Sequence, residues 1–434
     1  MDTAQSTQAL WPLWKKIIFR FIFIYLALQI APWTWLKKIP FGNYPLSVYN
    51  LLMNWAVNAA NAKVFHVKKA LVPVNGSGDT SFAWAQLWMF ISIALIGCAV
   101  WSVLDRKRSN YTNLNYWLCL VVRYYIALTA FTYGIIKIFG FQMHFPHLYE
   151  MATQLGDFLP MHLSWMFIGY STPYQAFAGV MEVLAGSLLL YRRTTTLGVM
   201  VATAVFINVM MLNLCYDIPV KILSMQLVFA CLYLLTNESN RIICFFILNK
   251  PADTCSVYHF NYTKQWMRVT RRVVKLVFIL FVVVIPFLNC LWSVLPSTSS
   301  SGAVNKKAIE NGLYDVTEYS LRKRNMPLLA TDTLRWEDLI LEDGTGSVKT
   351  NDTTFHHTYN RAYFGYTVDS AKHIMAFTRS NKAVFTMQYT FPDTNTIKLW
   401  GKKGNDSLFI GLKKSKHHFQ LAEKQFHWLS EDNR

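Results

Sequence analysis

The amino-acid sequence predicts a membrane α-helical bundle of about seven spans, followed by a mainly antiparallel β domain. Three observations carry that prediction. Charged residues make up 15% of the chain and hydrophobic ones 53%, whereas soluble domains carry about 25% charged residues. Apolar segments of about 20 residues recur, the length that crosses roughly 30 Å of hydrocarbon. The composition then changes at LPSTSSSGA, residues 295–303, a Ser/Gly-rich linker beyond which no such segment recurs. The implied division is 1–115, an N-terminal membrane region; 116–236, a four-helix core; 237–295, a cytoplasmic loop and last span; and 296–434, the β domain.

The apolar segments lie at 17–35, 83–104, 116–140, 164–191, 197–216, 219–235 and 274–294. The first lacks a small-residue cleavage site and reads as an anchor, not a removed signal peptide. After it, YPLSVYNLLMNWAVNAANAKVF has the pattern of an amphipathic helix lying on the outer interface. The fourth segment is longer than a span needs and contains Pro173, so its first turns are expected in the interface. IICFFIL, 242–248, is too short to span and is expected to rest on the membrane surface.

Orientation follows from basic residues in short loops. Lys15, Lys16 and Arg20 precede or open the first span; Arg106, Lys107 and Arg108 follow the second; Arg192 and Arg193 follow the fourth; Arg241, Lys250, Lys264, Arg268, Arg271 and Arg272 follow the sixth. All fall on one side if the N-terminus is cytoplasmic, which puts the C-terminal domain outside. Lys37, Lys38, Lys63, Lys68 and Lys69 in the first outer loop run against this pattern; the absence of cations from 141 to 191 agrees with it.

The net charge of +18 is mostly this topological signal. Residues 296–434 carry 19 Lys+Arg against 15 Asp+Glu, which leaves 23 against 9 for the membrane part. Contact with the lipid bilayer and its anionic headgroups accounts for the excess; no nucleic acid is called for. The seven cysteines are Cys98, Cys119, Cys215, Cys231, Cys244, Cys255 and Cys290, none in the tail and none in C-x-x-C. A disulfide framework, a thioredoxin-like dithiol and a covalent haem motif are therefore unsupported.

In the tail, KAVFTMQYTF alternates: Val384, Thr386, Gln388 and Thr390 share one face, Phe385, Met387, Tyr389 and Phe391 the other. That is a strand with one buried face. PDTN, TIKLWG, GKKGND and SLFIGLKK continue the strand-and-turn pattern. The acidic stretch DTLRWEDL, 332–339, lacks calcium-loop spacing and is expected at a sheet edge or turn. An aromatic patch around Trp400 or Trp428 would suit a protein partner.

Charges inside the apolar segments carry the functional content, because a charge in the membrane core costs about 2.5–3.5 kcal/mol on insertion scales. Arg123 and Lys137 are 14 residues apart, just under four helical turns and nearly on one face. Ala127, Ala130, Tyr133 and Gly134 lie between them, and small residues admit another helix closely. On the fourth segment Gly179, Glu182 and Gly186 share a face by 3–4 spacing. The expected arrangement packs these faces together, with Glu182 neutralising Lys137 or Arg123 and Tyr133 within hydrogen-bonding reach. The alternative for Arg123 and Lys137 is snorkelling to the membrane surfaces. Asp217 precedes Pro219 and is placed to cap the sixth helix, with Lys221 one turn on; both are expected near Lys137. QMHFPHLYE brings His144, His147 and Glu150 into an H-x-x-H pattern interrupted by Pro146; interfacial loop residues explain it better than a metal. No histidine falls inside a predicted span, so haem held within the bundle is not expected.

Arg123, Gly134-x-x-Lys137, Glu182 and the GSLLLYRR ending, over 117–241, resemble the DoxX-like family of multi-pass bacterial membrane proteins. WGKKGNDSL and FHWLSEDNR resemble the C-terminal extension of its longer Bacteroidetes-type members. The resemblance implies a four-helix core, a bacterial inner-membrane location and a pocket for a quinone or other small amphiphile; unpaired cysteines depart from the thiol chemistry of some members. Three functions follow as expectations: a redox-linked, quinone-associated membrane subunit using Lys137, Tyr133 and Glu182; an envelope scaffold anchoring an exported β domain; and a proton-coupled transporter, which the absence of an inverted repeat disfavours.

Overall fold

The computed structural model describes residues 10–31, 43–74, 78–251, 264–295, 309–322, 324–325, 335–350, 354–380, 382–404 and 406–423. The 296–303 part of the linker and Trp428 lie outside them. The chain divides into two units: Met1–Met143 with Ser171–Leu295, and His144–Tyr170 with Pro296–Arg434. The sequence reading places 144–170 within the helical core; these residues group instead with the C-terminal unit.

The first unit is helical. Its elements are α1 (Leu13–Ile30), α2 (Asn43–Ala60), α3 (Ser81–Leu104) and α4 (Thr112–Ile138). The second unit contributes α5 (Leu148–Met151) and α6 (Pro160–Tyr170). The first unit resumes with α7 (Thr172–Leu190), α8 (Thr195–Cys215), α9 (Lys221–Asn237), α10 (Ser239–Ile242), α11 (Gln265–Ile279) and α12 (Ile285–Val294). A π turn at Leu280–Val284 joins α11 to α12, where Pro286 withholds a backbone N–H. α4 packs on α7, α7 on α8, α8 on α9, and α3 on both α1 and α2. Small and apolar residues make the shared core, among them Ala127, Ala130, Phe131, Ala185, Leu189, Ala202, Phe206 and Cys231.

Five helices of the described residues are long and apolar enough to cross a membrane, and a sixth if the pair bent by 74° at Lys221–Asn237 and Ser239–Ile247 is one span. Seven were expected, and the end of the first, 32–35, lies outside the described residues. The difference is α1, whose Lys15, Lys16 and Arg20 dilute its apolar character. Arg20 is itself buried and satisfied: it donates to the Tyr111 hydroxyl at 2.8 and 2.9 Å, the Ser102 hydroxyl at 2.8 Å and the Asp105 carbonyl at 2.9 Å. The expected fourth segment is also divided. Ser171 accepts from the Tyr174 N–H at 3.3 Å and Pro173 sits in the first turn, so a new helix starts at Thr172.

The C-terminal part of the second unit is a closed antiparallel barrel. Its strands are β1 (Gly312–Leu321), β2 (Arg324–Asn325), β3 (Asp338–Glu342), β4 (Thr345–Val348), β5 (His356–Thr358), β6 (Arg361–Asp369), β7 (Ile374–Arg379), β8 (Lys382–Asp393), β9 (Thr396–Lys403) and β10 (Asp406–Lys414). Pairing runs β1-β3-β4-β6-β7-β8-β9-β10 and returns to β1, with β2 and β5 at the side. Closure removes the free sheet edges. The interior is packed solid: Trp336, Phe355, Phe364, Phe377 and Phe385 contact one another at centroid distances of 4.7–6.4 Å. A Cβ at Gly346 would sit 2.3 Å from the Phe364 ring, so that ring requires the glycine. Arg335 and Trp336, expected at a solvated edge, are buried; the Trp336 indole serves the aromatic core and overrides the acidic character of its neighbours. Trp400 is half-buried.

Candidate functional site

In the helical unit, α4 and α7 meet through two short patterns, Gly134-x-x-Lys137 and Gly179-x-x-Glu182. A Cβ at Gly134 would meet the Gly179 carbonyl oxygen at 2.8 Å and Glu182 Cβ at 3.1 Å; a Cβ at Gly179 would meet the Gly134 oxygen at 2.6 Å and Lys137 Cβ at 2.8 Å. Each glycine thus makes room for the charged side chain of the facing helix. Lys137 Nζ donates to Glu182 Oε1. Both groups are buried, Lys137 at 8% and Glu182 at 2% exposure. Glu182 Oε2 is also buried and has no hydrogen-bond partner. One turn along, the Phe131 ring lies against Gly186, 3.1–3.3 Å from where its Cβ would be; Phe131 belongs to this face and was not singled out from the sequence.

The other predicted residues are placed differently. Tyr133 is half-buried beside the pair, within electrostatic reach of Glu182. Arg123 is not joined to Glu182; it donates to the Thr195 hydroxyl at 3.3 Å and lies 5.3 Å from the Tyr124 ring. Asp217 and Lys221 pair with each other at 2.6 Å rather than with Lys137. Asp217 has a left-handed backbone (φ 53°) and does not cap α9. That role falls to Asp79, whose carboxylate accepts from the Lys221 N–H at 2.6 Å and the Ile222 N–H at 3.1 Å.

In the second unit, the H-x-x-H loop folds as a clasp around one buried carboxylate. Glu150 is 3% exposed. Its Oε2 accepts from the His147 N–H at 2.7 Å, His144 Nε2 stands 3.3 Å from both oxygens, and His162 Nε2 stands 2.9 Å from Oε1. Burial pushes the Glu150 carboxyl up, but His162, the His147 N–H and the charges of His144 and His162 outweigh burial and hold it below its ordinary value. His147 Nδ1 in turn faces Glu342 Oε2 at 3.4 Å. The sequence showed no sign of His162 and Glu342, because they reach Glu150 through the fold. No group of three or more His, Cys, Asp or Glu among the described residues has an arrangement that could hold a metal ion.

No protein-family model and no solved structure matches the chain. One relative does: a Bacillus subtilis (strain 168) protein described as "Uncharacterized protein YwoB", 34% identical over 144 residues, which is 31% of this chain and 85% of that protein. The chain belongs to the YwoB family. At 34% identity the family bears on a third of the chain at most, and its description carries no activity to transfer.

Proposed function

We propose that the chain is a multi-pass protein of the bacterial inner membrane, with its N-terminus cytoplasmic and its barrel exported, and that Lys137 and Glu182 form a polar site within the bundle for a quinone-like amphiphile. The observation that carries this reading is the bare Oε2 of Glu182. A buried acceptor without a donor costs about 1–3 kcal/mol, so the site asks for a hydroxyl or similar group. Lys137 Nζ has three N–H donors and gives one to Glu182; the others suit a carbonyl oxygen. One hydroxyl of a quinol-like head group can donate to Oε2 while its oxygen accepts from Nζ, which fits the DoxX-like resemblance. The bound group would supply electron and proton exchange. In that setting Glu182 holds or releases a proton at Oε2, Lys137 balances its charge, and the Gly134–Gly179 contact fixes both stems.

A second reading has its own support. The barrel interior is filled by aromatic rings and leaves the barrel its surface to act through. An envelope scaffold that presents the barrel to a protein partner follows from that.

Organic extraction with mass spectrometry, on purified full-length protein and Glu182→Gln, separates the two. Stoichiometric quinone in the wild type and its loss from an equally folded variant is the expected result. Lys137→Met serves as a second variant. Empty extracts from a wild type and variant of equal stability would sink the ligand reading and leave the scaffold.

A further inference from the structure

A polar cleft of about 240 Å³ opens in the second unit, between the 152–157 segment and the β5–β6 turn. The segment contributes Gln154 and Asp157, and the barrel contributes Glu337, Lys349, Tyr359 and Asn360. Pockets for drug-sized ligands run to roughly 300–1,000 Å³, so this one admits a single small molecule. The turn itself is Tyr359 and Asn360, between the paired Thr358 and Arg361. Both have left-handed backbones, φ 53° and 59°, as a two-residue type I′ hairpin requires. Asparagine and glycine suit that geometry, but a tyrosine there is disfavoured. The chain thus keeps a strained aromatic residue at the cleft, and such strain gathers at functional positions. The ring is seated 5.4 Å from Phe158 and 4.6 Å from His162, yet Tyr359 is only half-buried. Asn360 Nδ2 donates to Asp157 Oδ1 at 3.3 Å, which ties the segment to the turn.

The charges of the cleft cancel in pairs. Lys349 Nζ meets Glu337 Oε2 at 2.9 Å, and the buried Arg361, which also lines the cleft, donates to both Asp338 oxygens. A charged ligand would have to displace one of these partners. A neutral ligand need not, because the same groups keep hydrogen-bonding capacity: Lys349 has two further N–H groups, Glu337 a second oxygen and Asn360 its amide oxygen. Donors and acceptors thus stand side by side, which suits hydroxyl groups, since each both donates and accepts. Tyr359 adds an aromatic surface for C–H groups. We infer that this cleft binds one ring of a neutral sugar. The site is separate from the Lys137–Glu182 pair and does not depend on a quinone there.

The test uses the full chain in a polyoxyethylene detergent, which carries no sugar. Saturation-transfer NMR follows glucose, galactose and N-acetylglucosamine, with glucosamine and glucuronate as charged comparisons. At least one neutral sugar is expected to receive saturation from the protein, and the charged ones less. Tyr359→Gly should weaken its half-saturating concentration about tenfold; glycine suits φ 53°, so the turn is kept. Asn360→Gly should weaken it about fivefold, whereas Lys372→Gln, exposed in the β6–β7 turn, should leave it unchanged. If Tyr359→Gly does not fold, Asn360→Gly and Lys372→Gln still make the comparison. No transfer to any of the three neutral sugars, stronger transfer to glucosamine or glucuronate, or an equal loss in Lys372→Gln would overturn the inference.

Discussion

Gly179→Ala is the sharpest test of how α4 and α7 are held together. The added Cβ would lie 2.6 Å from the Gly134 carbonyl oxygen, 2.8 Å from the Ile138 nitrogen and 2.8 Å from Lys137 Cβ. Ordinary contact begins at 3.4 Å, so the helices must part by up to about 0.8 Å. Two of the three obstacles are backbone atoms and cannot rotate away. Overpacking of this kind costs roughly 1–3 kcal/mol, and the backbone obstacles place this case near the upper end. Parting the helices also strains the Lys137–Glu182 contact, because the Lys137 stem is the third obstacle. Gly97→Ala is the comparison: its new Cβ would meet Ile24 Cδ1 at 2.8 Å, the end of a flexible side chain, so about 1 kcal/mol or less is expected. Denaturant unfolding of the full chain in micelles, read by circular dichroism, measures both. A Gly179→Ala variant within about 0.5 kcal/mol of wild type, or no worse than Gly97→Ala, would refute the reasoning.

Three further outcomes follow from the geometry. Asp338→Asn should cost about 3 kcal/mol, since the buried Arg361 donates to both Asp338 oxygens at 2.7 and 2.9 Å; unchanged amide-exchange protection in β3 and β6 would contradict this. Glu150 has a folded-state pKa held below its ordinary 4.5, so its contribution to stability is present above that value and drains as pH falls through the folded value. Wild type should therefore lose more melting temperature than Glu150→Gln on acidification below about pH 4.5, and parallel losses would refute the clasp. Asp79→Ala removes the acceptor for two N–H groups of α9 and should cost about 1–2 kcal/mol, read as a drop in melting temperature of a few degrees; no drop would mean that another group caps α9.

What the sequence revealed was whatever is periodic and local. Strand alternation in KAVFTMQYTF is such a feature: Phe385, Met387 and Tyr389 are buried, and Val384 is 42% exposed. Phe391, expected on the inner face, is 44% exposed, because the β8–β9 register shifts between Thr390 and Asp393 and a slip turns side chains to the other face. The spacing of Gly134 with Lys137 and of Gly179 with Glu182 was legible because small residues flank the charges on both helices. Features joined through space were not legible. The cap of α9 comes from Asp79, 142 residues before Lys221. The barrel closes by pairing Tyr314 with Lys414, and His162 joins Glu150 only once α5 and α6 have turned back on each other.

Three carboxylates that answer cations can be compared within this one chain. Asp338 gives both oxygens to Arg361, and its Oδ1 also accepts from the Lys349 N–H at 3.0 Å. The Arg361 Nε in turn finds the Ser347 hydroxyl at 2.7 Å. Glu150 has a donor or a cation at each oxygen. Glu182, at 2% exposure as buried as Glu150, stops at Lys137 and leaves Oε2 bare. A helix clasp alone would favour closing that oxygen as well, since an open acceptor weakens the contact it belongs to. A serine or threonine hydroxyl on the facing turn of α4 would close it, yet that turn carries Gly134, whose space the Glu182 stem occupies. The packing that brings the helices together thus also withholds the second donor. Holding the pair tightly and leaving one oxygen without a donor are two consequences of the same four-residue pattern.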